Sequence, residues 1–444
     1  MAEKCKCKYC PTIIIPGIGQ SETIEVDANG NKIKNSWPLD LDAKPLIKSL
    51  VLPAIVTVIS RLDLGFTKKA GKAIAKALDT LACHPDGTQK HNIRVVSYNQ
   101  SIADCDERGR KYIYRMVPLQ ELGETIGENH LFFFAYDIFC RIGDTADKLD
   151  EFIQMVKAST GHDKVNLCPV SMGATVTTFY LDRYAAKNDV NRVVGVVPAY
   201  DGSQVVADLL GGNYSVEDYS SLFVDLLGRK DGEQLNKIIG FLPKKLRGKL
   251  VAEILDSALQ TILVNSETMW GIVPSADYER LRDRYIADAA HAKLRAATDK
   301  AFEIRRDFGR RIKDYQAQGI GFFTLCGYNL QLFKAVNSVD VTSDIVVNTA
   351  SSAIGAYFAP LGKTLPDVYK QKINCTHNHI SPDRCIDASC GALPETTWYY
   401  RNMYHEDAAN NKHLLTLAKL LLTDKISSVN DDENYPQFNE YMKE

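Results

Sequence analysis

What the chain lacks narrows the field first. Its 444 residues contain no apolar run long enough to span a bilayer. The longest, Ser49 to Ser60, is interrupted by Pro53 and falls well short of the roughly 20 residues a spanning helix needs. It reads as a core helix, with an amphipathic surface helix as the rival. The first ten residues, Met1 to Cys10, carry three lysines and no apolar stretch, so no secretory leader is expected. There is no surplus of either charge: 53 Lys and Arg stand against 55 Asp and Glu. That balance excludes the basic footprint of a nucleic-acid binder. No internal repeat or low-complexity tract is visible, which excludes solenoids and disordered linkers. Cysteine, by contrast, is plentiful. Its eleven copies are odd in number and scattered through strand-like segments such as those of Cys168 and Cys326. That usage fits a reducing compartment, and the expected location is cytoplasmic.

What is present has a clear rhythm. Length and a 45% apolar content allow one large core plus an added domain. Thr12–Ile15, His130–Phe134, Lys164–Cys168, Val193–Pro198, Gly321–Gly327 and Thr396–Arg401 are short apolar or β-branched runs that read as buried strands. Asn92–Ser97 reads as an extra strand inside an insertion spanning about 40–130. Between the runs lie helical patterns. Asp144 to Gly161 has an apolar face at Leu149, Phe152, Ile153 and Val156, with Asp144 as N-cap and Gly161 as stop. His413 to Leu422 is a closing helix. Strands alternating with helices predict a mostly parallel sheet covered on both faces. From about 202 to 318 the alternation stops. That stretch reads as successive helices, with one face at Val251, Ile254, Leu255, Ala258, Leu259 and Ile262, and with 276–318 as a long solvated helix.

The chemistry is carried by Pro169-Val170-Ser171-Met172-Gly173. A strand, a tight turn with serine at its apex and a helix make a nucleophile elbow, which lifts a hydroxyl over the end of a sheet. Gly173 falls where a side chain would crowd the neighbouring strand. Acyl transfer also needs two backbone N–H donors for the developing oxyanion. Met172, after the serine, supplies one. The Gly-rich loop Pro16–Gly19 supplies the other, most plausibly at Ile18. A carboxylate should follow the strand at 321–327. Asp340 and Asp344 both qualify, and Asp344 is favoured by its Asp-Ile-Val step. The base should follow the last strand, which points to His405. His413 lies inside the closing helix and reads as structural, while His377 and His379 are rivals for the base.

These residues together resemble an α/β-hydrolase of the lipase type, nearest the lecithin:cholesterol acyltransferase-like lipases. The resemblance rests on Pro16-Gly17-Ile18, on Tyr136, Asp137 and Arg141, on Lys164 to Leu167 followed by Ser171-Met172-Gly173, and on Met269-Trp270 through Pro274. The chain departs from the family at Pro169 and Val170, where Gly and His are usual. The resemblance implies an α/β-hydrolase fold with a helical cap inserted after strand six. It divides the chain into a core of residues 1–201 and 319–444 and a cap of residues 202–318. It implies a serine hydrolase acting on carboxylic esters with a hydrophobic, lipid-like acyl group, through Ser171, His405 and Asp344. The apolar cap residues Trp270, Leu222, Phe223, Leu226 and Leu227 suggest the greasy substrate, and such a substrate brings transient contact with a membrane or micelle surface. The alternatives are an acyltransferase using the same residues on an alcohol, and a non-catalytic binding protein of the same fold. No cofactor is expected, and oligomeric state is left open.

Two clusters sit outside this scheme. Cys5, Cys7 and Cys10 have thiolate spacing but no evident fourth ligand nearby. Cys375, His377, His379, Cys385 and Cys390 precede the last strand and allow a metal or a Cys375–Cys390 disulfide. For both, the favoured reading is an ordered loop without metal.

Overall fold

In the computed structural model, residues 5, 7–39, 65–139, 141–215, 233, 236–237, 239–240, 242–334 and 336–441 are described. The apolar run 49–60 and the cap residues Leu222, Phe223, Leu226 and Leu227 lie outside them.

The centre is a seven-stranded, wholly parallel sheet. Numbered along the chain together with those of two smaller sheets, its strands are β1 (Thr12–Ile15), β5 (Leu131–Phe133), β6 (Val165–Pro169), β7 (Val190–Val196), β8 (Gly321–Tyr328), β11 (Thr397–Arg401) and β12 (Phe438–Glu440), while β9 (Tyr357–Phe358) and β10 (Ile386–Asp387) pair with each other outside it. In space they run β12-β11-β8-β7-β6-β1-β5. Helices cover both faces, giving the α/β-hydrolase architecture expected from sequence.

Strand periodicity explains the layering. Side chains alternate faces, so Ile13 and Ile15 enter one apolar cluster and Ile14 the other, all three fully buried. The first cluster joins the sheet to helix Ile142–Thr160 and helix Gly173–Tyr184. The second joins it to helix Glu107–Met116, helix Gln120–Ile126 and helix Lys412–Leu422. Leu149, Phe152, Ile153 and Val156 are buried as their spacing predicts.

Several local expectations need correcting. The N-cap of the helix at Ile142 is Arg141, and Asp144 sits in its first turn, where a carboxylate still favours the positive helix end. Gly161 does end it, at φ 69°. β11 is not the last strand, because β12 pairs beyond it. The insertion between β1 and β5 holds a separate antiparallel sheet of β2 (Thr23–Val26), β3 (Lys32–Trp37) and β4 (Ile93–Val95). Only β4 was anticipated. The β2–β3 hairpin turns at Asn29-Gly30, with Asp27 Oδ1 accepting from the Asn29 and Asn31 amides at 2.9 and 2.8 Å.

The segment 276–318 is three helices, Ser275–Tyr285, Ala292–Arg306 and Phe308–Ala317. It is not a single solvated rod. Tyr278, Leu281, Leu294, Ala301, Ile304, Phe308 and Ile312 are buried in the same cluster as Ile13. The high charge content there occupies the outer faces, which masked the inner stripe. Trp270 is also core. It is 1% exposed and donates Nε1 to the Val264 carbonyl at 2.9 Å.

Chain direction around the sheet marks one special place. From β1 the chain crosses to β5 at one edge, whereas from β6 it steps through β7 and β8 toward the other. The connections therefore diverge at the carboxyl ends of β1 and β6. In open parallel sheets such a switch point leaves a crevice where ligands bind.

Candidate active site

The two loops at that switch point are Pro16–Gly19, after β1, and the turn at Val170–Met172, after β6. Ser171 takes φ 51°, a left-handed conformation that costs a non-glycine residue about 1–3 kcal/mol. Surrounding hydrogen bonds hold it there. The Val170 amide donates to the Ile15 carbonyl at 2.9 Å, the Ser171 amide to Val196 at 3.0 Å, and the Ala199 amide to the Ser171 carbonyl at 3.0 Å. The helix at Gly173 then starts directly beneath β1. A Cβ on Gly173 would collide with the Ile15 carbonyl, so glycine is required by the close approach of helix and strand.

His405 lies beyond β11, and its imidazole bridges two groups. Nε2 is 2.9 Å from Ser171 Oγ, and Nδ1 is 2.7 Å from Asp344 Oδ2. Asp344 is fully buried. Its other oxygen, Oδ1, accepts from the Val346 and Val347 amides at 3.0 and 2.7 Å. With Oδ1 committed to those donors, Oδ2 is left to accept Nδ1–H of His405. That hydrogen bond leaves the Nε2 lone pair facing the serine hydroxyl. The backbone locks the pair again: the His405 amide donates to the Asp344 carbonyl at 2.8 Å. Burial alone disfavours the imidazolium, but the Asp344 carboxylate and its hydrogen bond outweigh it and hold the His405 pKa above the ordinary value of 6.5.

The rival residues are placed elsewhere. Asp340 is exposed at the surface. His413 stacks beside Tyr435, with Nδ1 3.0 Å from the Tyr400 hydroxyl and Nε2 2.9 Å from the Asn434 carbonyl. His377 and His379 meet Glu395 at 3.4 and 3.1 Å.

The backbone donors at Ile18 and Met172 flank the serine. Among the described residues neither amide has a protein acceptor, so both are left for another oxygen. The Gly17 amide, in contrast, is used: it donates to Gln20 Oε1 at 2.7 Å. Gln20 donates in turn to the Met116 carbonyl at 2.7 Å, and the Tyr136 hydroxyl donates to the Pro16 carbonyl at 2.7 Å. Gln20 and Tyr136 thus fix the loop. Gln20 escaped the sequence reading, and Tyr136 entered it only through the family resemblance. Such positioning contacts span about 100 residues of chain and leave no local pattern. Gly17 is also required, since a Cβ there would stand 2.8 Å from Ser171 Cβ and 3.2 Å from the Val170 carbonyl oxygen.

A cavity of about 280 Å³ opens over Ser171 and His405. Its walls come from the Pro16–Gly19 loop, from Met116, Val117 and Leu119, from Val170, Val196 and Val197, and from Ala408 and Leu415. Most of this lining is apolar. Among the described residues none between 202 and 318 lines it. Trp270 in particular is excluded by its place in the core. Among the described residues the apolar wall comes from the insertion before β5, from the ends of β6 and β7 and from the closing helix.

The two cysteine clusters are rearranged relative to expectation. Cys5 and Cys7 meet His130 and His162, and Cys10 is not part of that group. Cys375, His377 and His379 meet Glu395, without Cys385 or Cys390. Cys390 donates to Asp387 Oδ2 at 3.3 Å, and Cys375 and Cys390 are not bonded to each other.

No family model matches the chain, and no curated protein matches it. Solved structures do. The Tle4–Tli4 complex aligns over 94% of this chain and 99% of that one, at 11% identity and a TM-score of 0.41. Phospholipase PlaB from Legionella pneumophila aligns over 58% of this chain and 43% of its own, at 15% identity and a TM-score of 0.28. The Bacillus licheniformis lipase BlEst2 aligns over 58% and 76%, at 16% identity and a TM-score of 0.26. No helix among the described residues is long and apolar enough to cross a membrane.

Proposed function

We propose that the protein is a serine hydrolase that cleaves carboxylic esters carrying an apolar acyl group. The observation that carries this reading is the single imidazole of His405, hydrogen-bonded at one nitrogen to Ser171 Oγ and at the other to Asp344. His405 Nε2 takes the hydroxyl proton as Ser171 Oγ attacks the ester carbonyl. Asp344 orients the ring and stabilises the imidazolium that forms. The negative oxygen of the tetrahedral intermediate is received by the Ile18 and Met172 amides. His405 then delivers its proton to the departing alcohol, leaving an acyl group on Ser171. Water repeats the sequence on that acyl-enzyme and releases the acid. The apolar walls at Val117, Leu119, Val196 and Leu415 favour a hydrocarbon acyl chain over a charged one.

The test is a fluorophosphonate probe followed by peptide mapping, together with turnover of short-chain nitrophenyl esters. Labelling should fall on Ser171. Ser171→Ala should abolish labelling and lower turnover on the order of 10⁶-fold with the fold retained. Unchanged turnover in that variant would move the nucleophile elsewhere. Product analysis with added alcohol separates hydrolysis from acyl transfer.

A further inference from the structure

The triad occupies the carboxyl ends of the strands. The amino ends carry a different kind of chemistry. Cys5 and Cys7 lie on the segment leading into β1, His130 immediately precedes β5, and His162 lies just ahead of β6. These three strands are neighbours in the sheet, so residues 123 to 155 positions apart converge. Their four ligand atoms all lie within 4.8 Å of one another. Cys5 Sγ is 3.8 Å from His130 Nε2, and Cys7 Sγ is 3.4 Å from His130 Nε2 and 3.2 Å from His162 Nε2. We propose that this Cys5–Cys7–His130–His162 cluster is a structural zinc site that ties the N-terminal segment to the base of the sheet.

The spacing is within a few tenths of an ångström of a tetrahedron's for the three closest pairs. Zinc–sulfur bonds of about 2.3 Å and zinc–nitrogen bonds of about 2.0–2.1 Å put ligand atoms roughly 3.3–3.8 Å apart. The ring tautomer is also set. His130 Nδ1 lies 3.0 Å from the Asn129 side-chain oxygen, so Nδ1 carries the proton and Nε2 turns its lone pair to the thiols. An outer hydrogen bond of this kind is usual for a metal-bound histidine. The two rings stand at 88° with centroids 5.3 Å apart, converging by their edges and not by stacking. The backbone supports the arrangement, since the Cys5 amide donates to the Gly161 carbonyl, next to His162, at 3.1 Å. Zinc takes thiolates and neutral imidazoles, so both thiol protons leave as the ion enters. Four protein ligands leave no open position, so the site is structural and not catalytic. Two thiolates neutralise one divalent zinc.

A second site is carried by a separate observation at the other edge of the sheet. His379 is 1% exposed. Its Nδ1 is 2.9 Å from Gln437 Oε1, and its Nε2 is 3.1 Å from Glu395 Oε1. The orientation of Gln437 is fixed, because its amide nitrogen donates to the Pro394 and Thr397 carbonyls at 2.6 and 3.1 Å. An acceptor therefore faces each ring nitrogen, and with Gln437 accepting from Nδ1, a cation seated between Nε2 and Glu395 would be held by both. Cys375 and His377 complete a group with Glu395 whose ligand atoms again lie within 4.8 Å. Glu395 lies just before β11 and Gln437 directly before β12. We infer that a second zinc ion occupies this Cys375–His377–His379–Glu395 group.

The test is metal content of the purified full-length chain by elemental mass spectrometry, with cobalt substitution as the probe of ligand type. About two equivalents of zinc per chain are expected. The Cys5→Ser/Cys7→Ser variant should lose one, and His379→Ala/Glu395→Gln the other. Cobalt at the first site should show sulfur-to-metal charge-transfer absorption and tetrahedral d–d bands. Cys7→His keeps four ligands and should retain the metal with a weaker charge-transfer band, a readout that survives if the double variant does not fold. Zinc content unchanged by the cysteine substitutions would overturn the first site, as would a mass showing a Cys5–Cys7 disulfide with no bound metal. Zinc content unchanged by the His379 and Glu395 substitutions would overturn the second.

Discussion

The two ends of the central sheet solve opposite problems with the same strands. At the carboxyl ends of β1 and β6, Ser171 is held in a strained conformation, two amides lack protein acceptors, and a cavity lies open above them. At the amino ends of β1, β5 and β6, four thiol and imidazole groups converge on one place, where the proposed zinc ion would take up all four. One end keeps valences free, and the other closes them. β1 and β6 separate the two, and the longer, β6, is a five-residue strand about 16 Å long. The comparison teaches that a reactive, strained turn needs a rigid strand behind it, and that the strand's far end is where rigidity can be added without touching the chemistry.

Short of removing Ser171 itself, the contrast can be broken most severely at Asp344. In Asp344→Asn the amide oxygen would go to the Val346 and Val347 donors, turning the NH2 group toward His405 Nδ1. That forces the proton onto Nε2, which then cannot accept from Ser171. Turnover of a nitrophenyl ester should fall on the order of 10⁴-fold with the fold intact. A loss under tenfold would show that Asp344 does not set the tautomer.

The next largest effect is expected at the Pro16–Gly19 loop, the proposed oxyanion loop. Gly17→Ala should push the loop off Ser171 and Val170 and misplace the Ile18 amide. Turnover should drop about 10²–10³-fold, the scale of losing one such donor. Fluorophosphonate labelling should slow in parallel, and an unaltered labelling rate would rule out the loop's role.

A smaller, directional effect sharpens the same end. His405 must be neutral to accept a proton, and its pKa is held above 6.5. Activity should therefore fall as pH drops through a value above 6.5. In Asp344→Asn the charge that raises the pKa is gone and burial remains, so the acid limb of the residual activity should move to lower pH. A limb that stays in place, or moves up, contradicts the assignment of His405 as base.

The smallest effect on turnover is expected from the opposite end. Chelation, or Cys5→Ser/Cys7→Ser, should lower the Tm while leaving kcat per folded molecule unchanged. A kcat that falls with metal loss would mean that the two ends are coupled through β6.

Legibility from sequence followed the range of the physics. β1, β6 and β8 were readable because buried parallel strands concentrate β-branched and aromatic residues in short runs. Ser171 was readable because a strand, a turn and a helix follow one another within a dozen residues. His405 could be named only by its order after a strand and Asp344 by its order and its Asp-Ile-Val step, because the hydrogen bonds of the His405 imidazole to Asp344 and Ser171 join positions 61 and 234 residues apart. The helices at 275–317 were misread because surface charge hid a buried stripe. Trp270 reads as part of an apolar cap but fills the core, because an apolar residue in a helical segment looks the same in either place.

By itself, then, the amino-acid order determined the alternating layers, the turn at Ser171 and the side chains able to do acid–base work, because those follow from local periodicity and backbone preference. Only the tertiary structure decided which histidine meets the serine, which segments wall the cavity, and that Cys5 and Cys7 find His130 and His162 in place of Cys10. Those are meetings between distant parts of the chain, and strand order in the sheet sets them.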